Sequence, residues 1–238
     1  THHLNWYKNN SSCVVSDTPT DGTHVTTVPD GVGKVIMTRS ISRVQFTSLK
    51  SNFTAQYAGV TFKIDSIYLA NVRNNATVMG EEDTEADYFR GGPVEFAVIQ
   101  GLIDPEANVN ASFAKTYETP LVLSSESGEL DATALGFDKY INANQPEYAE
   151  EDGYLTRLLI TGTLMDGDRE LGKKYFHIPL KLVDDTGNVA SNKFFKISAT
   201  ITGEGSPNPD EILENACINF SIEVAPWNVV EQTEEDTN

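Results

Sequence analysis

Apolar and polar residues alternate along much of this chain, most clearly towards its C-terminal end. From Asn192 to Thr202, Phe195, Ile197, Ala199 and Ile201 take one parity while Lys196, Ser198, Thr200 and Thr202 take the other, which is the two-residue period of a strand with one buried face. Ile218, Phe220, Ile222 and Val224 repeat the pattern against Asn219, Ser221 and Glu223. Two strands of one sandwich are therefore expected at 192–202 and 216–225, with these apolar residues inward. Between them Gly203-Glu-Gly-Ser-Pro-Asn-Pro-Asp210 carries two glycines and two prolines, which forbid continued pairing and call for an irregular crossing instead of a tight hairpin.

Elsewhere the pattern predicts strands near 34–50 and 57–72, a short one at 23–28 within an otherwise loop-like 1–33, and others at 94–100, 155–164 and 174–182. The last two flank a charged turn at 166–173. Pro179 has no amide to give to a ladder, so its strand is expected at an edge or bulged. Residues 101–153 are the least regular and read as long loops with short helices or strands. No stretch sustains helical spacing beyond about three turns. The fold class that follows is all-β, a sandwich architecture. The acidic run Gly80-Glu-Glu-Asp-Thr-Glu-Ala-Asp87 and Gly91-Gly92 offer little apolar surface to bury. They mark 81–93 as a linker between a domain at 1–80 and a second at 94–238, with Arg90 as the first tryptic site.

Charge narrows the function classes. Acidic residues outnumber basic ones by 35 to 17, a net charge of -18 over 238 residues, which repels nucleic acid and anionic membrane surfaces. Apolar runs are too short for a membrane-crossing helix. Cys13 and Cys217 allow one disulfide or none and lack zinc or redox spacing.

Candidate chemistry is sparse. Asp166 with Asp168 and Glu170, Asp184 with Asp185 and Asn188, and Glu81 with Asp83 and Glu85 could supply oxygen ligands to calcium. None has the EF-hand spacing, and hydrated turns are the preferred reading. His2 and His3 have no third partner in range, and His24 and His177 are isolated. Gly203-x-Gly205 lacks the third glycine of a dinucleotide loop and runs into prolines. No nucleophile elbow is present. No catalytic residue, metal ligand or cofactor is assigned.

Three segments together carry a family resemblance. Met37-Thr-Arg-Ser-Ile-Ser-Arg-Val-Gln-Phe46 resembles the R-x-x-A-R-V strand of the Bacteroidales fimbrillins, with Ser42 where alanine is commoner. Phe62-Lys-Ile-Asp-Ser-Ile-Tyr-Leu-Ala-Asn-Val72 is similar to the strand that closes their N-terminal domain. Ala225-Pro-Trp-Asn-Val-Val-Glu-Gln232 is similar to their W-x-x-V-x-Q ending. The resemblance spans about 34–75 and 155–232. It implies two transthyretin-like β-sandwich domains, the N-terminal one incomplete, in a non-enzymatic subunit that is exported as a lipoprotein. That subunit is matured by proteolytic removal of an N-terminal strand and joined to its neighbours by strand addition.

The donor would be the C-terminal segment, through Ile218, Phe220, Ile222 and Val224 or through Trp227, Val229 and Val230. Partners would be other fimbrial subunits, in a homopolymer with accessory tip or anchor proteins. The site would be the cell surface, in a fimbrium anchored at the outer membrane. The competing reading is a tip adhesin or carbohydrate-binding module, with Trp6, Tyr140 and Tyr148 stacking on host or bacterial surface glycans.

Overall fold

A computed structural model describes residues 14–16, 24–27, 35–37, 39–76, 87–92, 101–144, 154–180, 189–213 and 218–226. In chain order the strands are β1 (Val14–Ser16), β2 (His24–Thr27), β3 (Val35–Met37), β4 (Ile41–Ser51), β5 (Val60–Ala70), β6 (Val72–Arg73), β7 (Tyr88–Arg90) and β8 (Asn108–Val109), then β9 (Ala114–Ser124) and β10 (Glu129–Asp131). The helical turn α1 (Ala132–Leu135) leads to β11 (Asp138–Asn142), β12 (Arg157–Asp166), β13 (Arg169–Pro179), β14 (Lys193–Ile201) and β15 (Ile218–Pro226). The fold is all-β, as the alternation predicts.

Two sheets make the body of the molecule. In the first, β10 and β11 both pair with one side of β4, β14 runs parallel to its other side, and β15 lies antiparallel outside β14. The second runs β13-β12-β5-β9 and is antiparallel throughout. Val44, Phe46, Phe195 and Ile197 from the first sheet share one core with Phe62, Leu69, Ile160 and Phe176 from the second. Phe62 and Phe176 meet edge to face at 5.2 Å. Smaller sheets join β1, β2 and β3, and β6, β7 and β8.

Local chemistry explains the irregular points. The β12–β5 register shifts between Thr161 and Gly162, and a Cβ on Gly162 would lie 2.2 Å from the Lys63 carbonyl oxygen, so only glycine lets the two backbones approach there. Asn71 turns the chain out of β5 with a left-handed φ of 55°. Its carboxamide donates to the carbonyls of Leu102 and Leu155, both at 2.8 Å, and accepts from the Asp104 amide. Its own carbonyl accepts from Asn144 Nδ2 and Thr156 Oγ1. Four segments are thereby tied at one buried point.

Strand pairing crosses the boundary expected at 81–93. β4 and β5, which precede the acidic run, are central strands of sheets that also contain β9 to β15, and their apolar residues pack into one core with those of the later strands. Acidic, glycine-containing composition marks a segment poor in core residues, but it does not say that the flanking strands avoid one another. The part of 81–93 that is described, 87–92, packs against β5. Arg90 is buried in β7, and Gly91 donates its amide to the Leu69 carbonyl at 2.8 Å. A Cβ on Gly92 would fall 2.3 Å from the Tyr68 ring. These glycines serve close packing, and Arg90 is not an exposed first cleavage site.

Two further expectations change. The irregular region at 101–153 contains β9, an eleven-residue strand. The turn expected at 166–173 is shorter, because β12 runs to Asp166 and β13 starts at Arg169, with Gly167 at a φ of 59° between them. Pro179 ends β13, an edge strand as its missing amide requires. The strand expected at 94–100 lies outside the described residues, as do Cys13, Cys217, His2 and His3.

Gly162→Ala should destabilise the protein by about 1–3 kcal/mol, read as a lower urea midpoint at unchanged m-value. Native-state trypsin should leave the bond after Arg90 intact until the sandwich itself unfolds, which mass spectrometry of a digestion time course would show.

Candidate functional site

The sheet edges decide where another chain could add. β9 carries Pro120 within its span, and Pro120 offers no ladder donor. Beside β13, Ser206 exchanges two main-chain bonds with Tyr175, at 2.8 and 2.9 Å. On the far side of β4 the edge is broken into β10 and β11, of three and five residues. They are separated by α1, whose first turn is capped by Asp131 Oδ1 accepting from the Ala134 amide. β15 differs from all of these. It is nine residues long, and no further strand pairs with its outer side among the described residues.

Register sets what β15 offers. Ile218, Phe220, Ile222 and Val224 stand opposite Ile201, Ala199, Ile197 and Phe195, so the two rows face the core together. Phe195, Ile197, Ala199 and Ile201 are buried, while Ile218, Ile222 and Val224 are half-buried against the same core. Phe220 departs from its expected inward place, being 43% exposed where Phe195 is 0%. An edge strand is covered on one side only, and the residue opposite Phe220 is the small Ala199. Trp227, Val229 and Val230 lie outside the described residues.

The outer face beside this edge is polar. Ser48, Lys50, Ser198, Thr200, Asn219 and Ser221, together with Ala199 and Phe220, line a shallow depression of about 250 Å³. Glu129 accepts from the Ser48 hydroxyl and pairs with Lys50 at 3.1 Å. The Ser48 hydrogen bond, then Lys50, holds its carboxyl below the usual range. Lys196 pairs with Glu223 at 3.1 Å across β14 and β15.

The Arg39–Arg43 segment has a structural role at this site. The buried Ser42 donates to the Ala190 carbonyl at 2.6 Å and accepts from the Lys193 amide at 2.9 Å, fastening the start of β14 to β4. Arg43 forms a two-point contact with Asp138 and lies 4.6 Å from the centroid of the Phe194 ring. Its pKa is raised, chiefly by the Asp138 hydrogen bond. Sequence reading registered Ser42 only as a departure from alanine; the clamp depends on Ala190 and Lys193, almost 150 residues away.

Of the aromatic residues considered for sugar stacking, Tyr140 is 54% exposed on β11, across from Arg43. Trp6 and Tyr148 lie outside the described residues. So do Glu81, Asp83 and Glu85, and Asp184, Asp185 and Asn188. Asp166 pairs with Arg169 across the β12–β13 turn at 2.9 Å. Among the described residues, no three His, Cys, Asp or Glu side chains gather as a metal site.

No family model matches the chain, and no curated protein matches its sequence. Solved structures do. A fimbrilin from Porphyromonas gingivalis W83 superposes with a TM-score of 0.61 at 18% identity, over 88% of this chain and 70% of that one. This chain carries a fimbrillin-like fold. Candidate cell adhesion proteins from Parabacteroides distasonis ATCC 8503 and Bacteroides eggerthii DSM 20697 give TM-scores of 0.52 and 0.56 at 17% and 16% identity. Those matches cover 87% and 86% of this chain against 66% and 62% of theirs. The fimbrillin-like fold thus agrees with the resemblance carried by the Arg39–Arg43 and 62–72 segments, which are the β4 start and β5.

Phe195→Ala should cost about 3–5 kcal/mol, as a buried aromatic does. Phe220→Ala should cost about 1 kcal/mol, because much of its ring is already in water. Paired denaturation curves would check the contrast.

Proposed function

We propose that this protein is a structural subunit of a cell-surface fimbrium, polymerising by strand addition with its C-terminal segment as the assembly strand. The observation that carries this reading is the β15 edge. It is long and unpaired on its outer side among the described residues, it has a half-covered apolar row, and it leads directly into Trp227-Asn-Val-Val-Glu-Gln232. The fimbrillin-like fold supports it.

In strand addition, main-chain hydrogen bonds supply affinity and alternate apolar side chains entering a groove set the register. Proteolytic removal of an N-terminal strand would open that groove in the neighbouring subunit. β15 meets β14 in a continuous nine-pair register, so withdrawing it would uncover Phe195 and Ile197. This favours Trp227, Val229 and Val230 as the inserting row, with Ile218, Phe220, Ile222 and Val224 holding the base of the segment at home. The partners are further copies of the subunit and accessory tip or anchor proteins. The location is the cell surface, with anchoring at the outer membrane through a lipoprotein precursor, and no catalytic role is assigned.

One observation favours the tip-adhesin reading: β15 is packed in its own domain. Among the described residues, the depression next to it is lined mostly by polar side chains, with the half-exposed Phe220 as its one aromatic residue, and a sugar ring would have that single face to stack on.

Val229→Pro removes a ladder donor and distorts pairing. It should leave the monomer folded by circular dichroism yet abolish filaments after limited trypsin treatment, as seen by negative-stain microscopy. Filaments growing from a chain truncated after Pro226 would show that the tail is not the donor and would put the adhesin reading in its place.

A further inference from the structure

The outer face of the β13-β12-β5-β9 sheet is covered, and the cover has a titratable group under it. Tyr68, Leu159 and His177 stand in one row across β5, β12 and β13. Leu102 and Ile103 pack over Tyr68, Ala70 and Leu159. Residues 204–210 form a strap over the same side. Ser206 joins the strap to Tyr175 of β13, and the fully buried Asp210 accepts from the amides of Gly101 at 3.2 Å and Ile103 at 2.8 Å. Within the strap, Ser206 Oγ donates to the Asn208 carbonyl, and the Asp210 amide donates to Asn208 Oδ1. Lys174 and Glu204 pair at its start, at 3.5 Å.

His177 is 6% exposed, and neither Nδ1 nor Nε2 has a hydrogen-bond partner among the described residues. Among the described residues, the charged groups acting on it are Arg157 from β12 and Asp210 from the strap. Tyr175 lies on its own strand, under the influence of Asp65, and Tyr68 lies beyond Leu159 with Arg90 acting on it. A proton added to this imidazole would be held out of water beside the Arg157 guanidinium. Among the described residues, the carboxylate that acts on it, Asp210, already accepts from two amides. Lifting the strap would let the imidazolium reach solvent.

We propose that His177 is a proton-sensitive latch, so that mild acid releases the 204–210 strap from the sheet and loosens the segment that feeds β15. The latch stands on its own geometry; only its consequence for assembly rests on the fimbrial reading. Burial first, then Arg157, pushes the His177 pKa down to about 4, with Asp210 acting the other way. An exposed histidine titrates near 6.5. The closed strap therefore binds the proton less well than the open one. Closure is fully favoured above about pH 6.5 and weakens as pH falls towards 4. Between pH 7.5 and 5.0 the ratio of open to closed strap should rise roughly thirty-fold.

Hydrogen–deuterium exchange on the full chain at those two pH values, corrected for intrinsic exchange rates, tests this without any filament assay. Peptides covering 203–213 should lose protection by about that factor, while peptides from β4 and β12 keep theirs. His177→Gln, which cannot titrate, should hold the same strap protection at both pH values. Unchanged wild-type strap protection, or an equal loss in the glutamine variant, overturns the latch. Should the variant not fold, the wild-type profile decides. A loss confined to the strap between pH 6.5 and 4 supports the proposal, and simultaneous loss in all strands rejects it.

Discussion

The parallel pairing of β4 with β14 is the contact on which the rest of the architecture depends. Parallel strands cannot be joined by a hairpin, and here the partners, Arg43 to Ser51 and Phe194 to Ile201, are separated by most of the chain. Ser42 sets the start of the register through Ala190 and Lys193. Thr47 stands at its one shift and donates from Oγ1 to the Ile197 carbonyl at 2.7 Å. A slip of one residue would turn Phe195, Ile197 and Ile201 towards water. With β4 occupying one side of β14, only the other side remains for β15, which is how the last described strand comes to be an edge.

Polar groups inside the molecule are used in two contrasting ways. Around Asn71 side-chain and main-chain groups of four segments meet donor to acceptor, with Asn144 Oδ1 left without a partner among the described residues, and this holds the junction after β5 in place. Around His177 they do not. Among the described residues, the imidazole, Arg157 Nε and the Tyr68 hydroxyl are buried without hydrogen-bond partners, and such groups cost stability that a paired network would keep. The first arrangement suits a scaffold, and the second suits a point that opens.

The edges tell the same story at the scale of the sheets. Pro120, the Ser206 bridge beside β13, and the short broken pair β10 and β11 each blunt an edge that would otherwise invite pairing. β15 has no equivalent guard among the described residues. Its outer-face polarity, with Asn219, Ser221 and Glu223 exposed, together with a net charge of -18, disfavours indiscriminate stacking of copies while leaving main-chain addition open.

Alternation was enough to determine that strands lie near 192–202 and 216–225 and that Phe195, Ile197 and Ile201 face inward, and Pro179 limited its strand to an edge or a bulge, because side-chain period and the missing proline amide are local properties. The motif segments near Arg43 and Phe62 likewise pointed to the fimbrillin-like fold from sequence. Only the tertiary structure decided that β4 and β5 share a core with β12 and β14, that Arg90 and Gly92 are packed inside an expected linker, and that Phe220 is half in water. It alone placed His177 under the 204–210 strap. A two-residue period names a face, but whether that face is covered, and by which distant strand, depends on contacts between residues far apart in the chain.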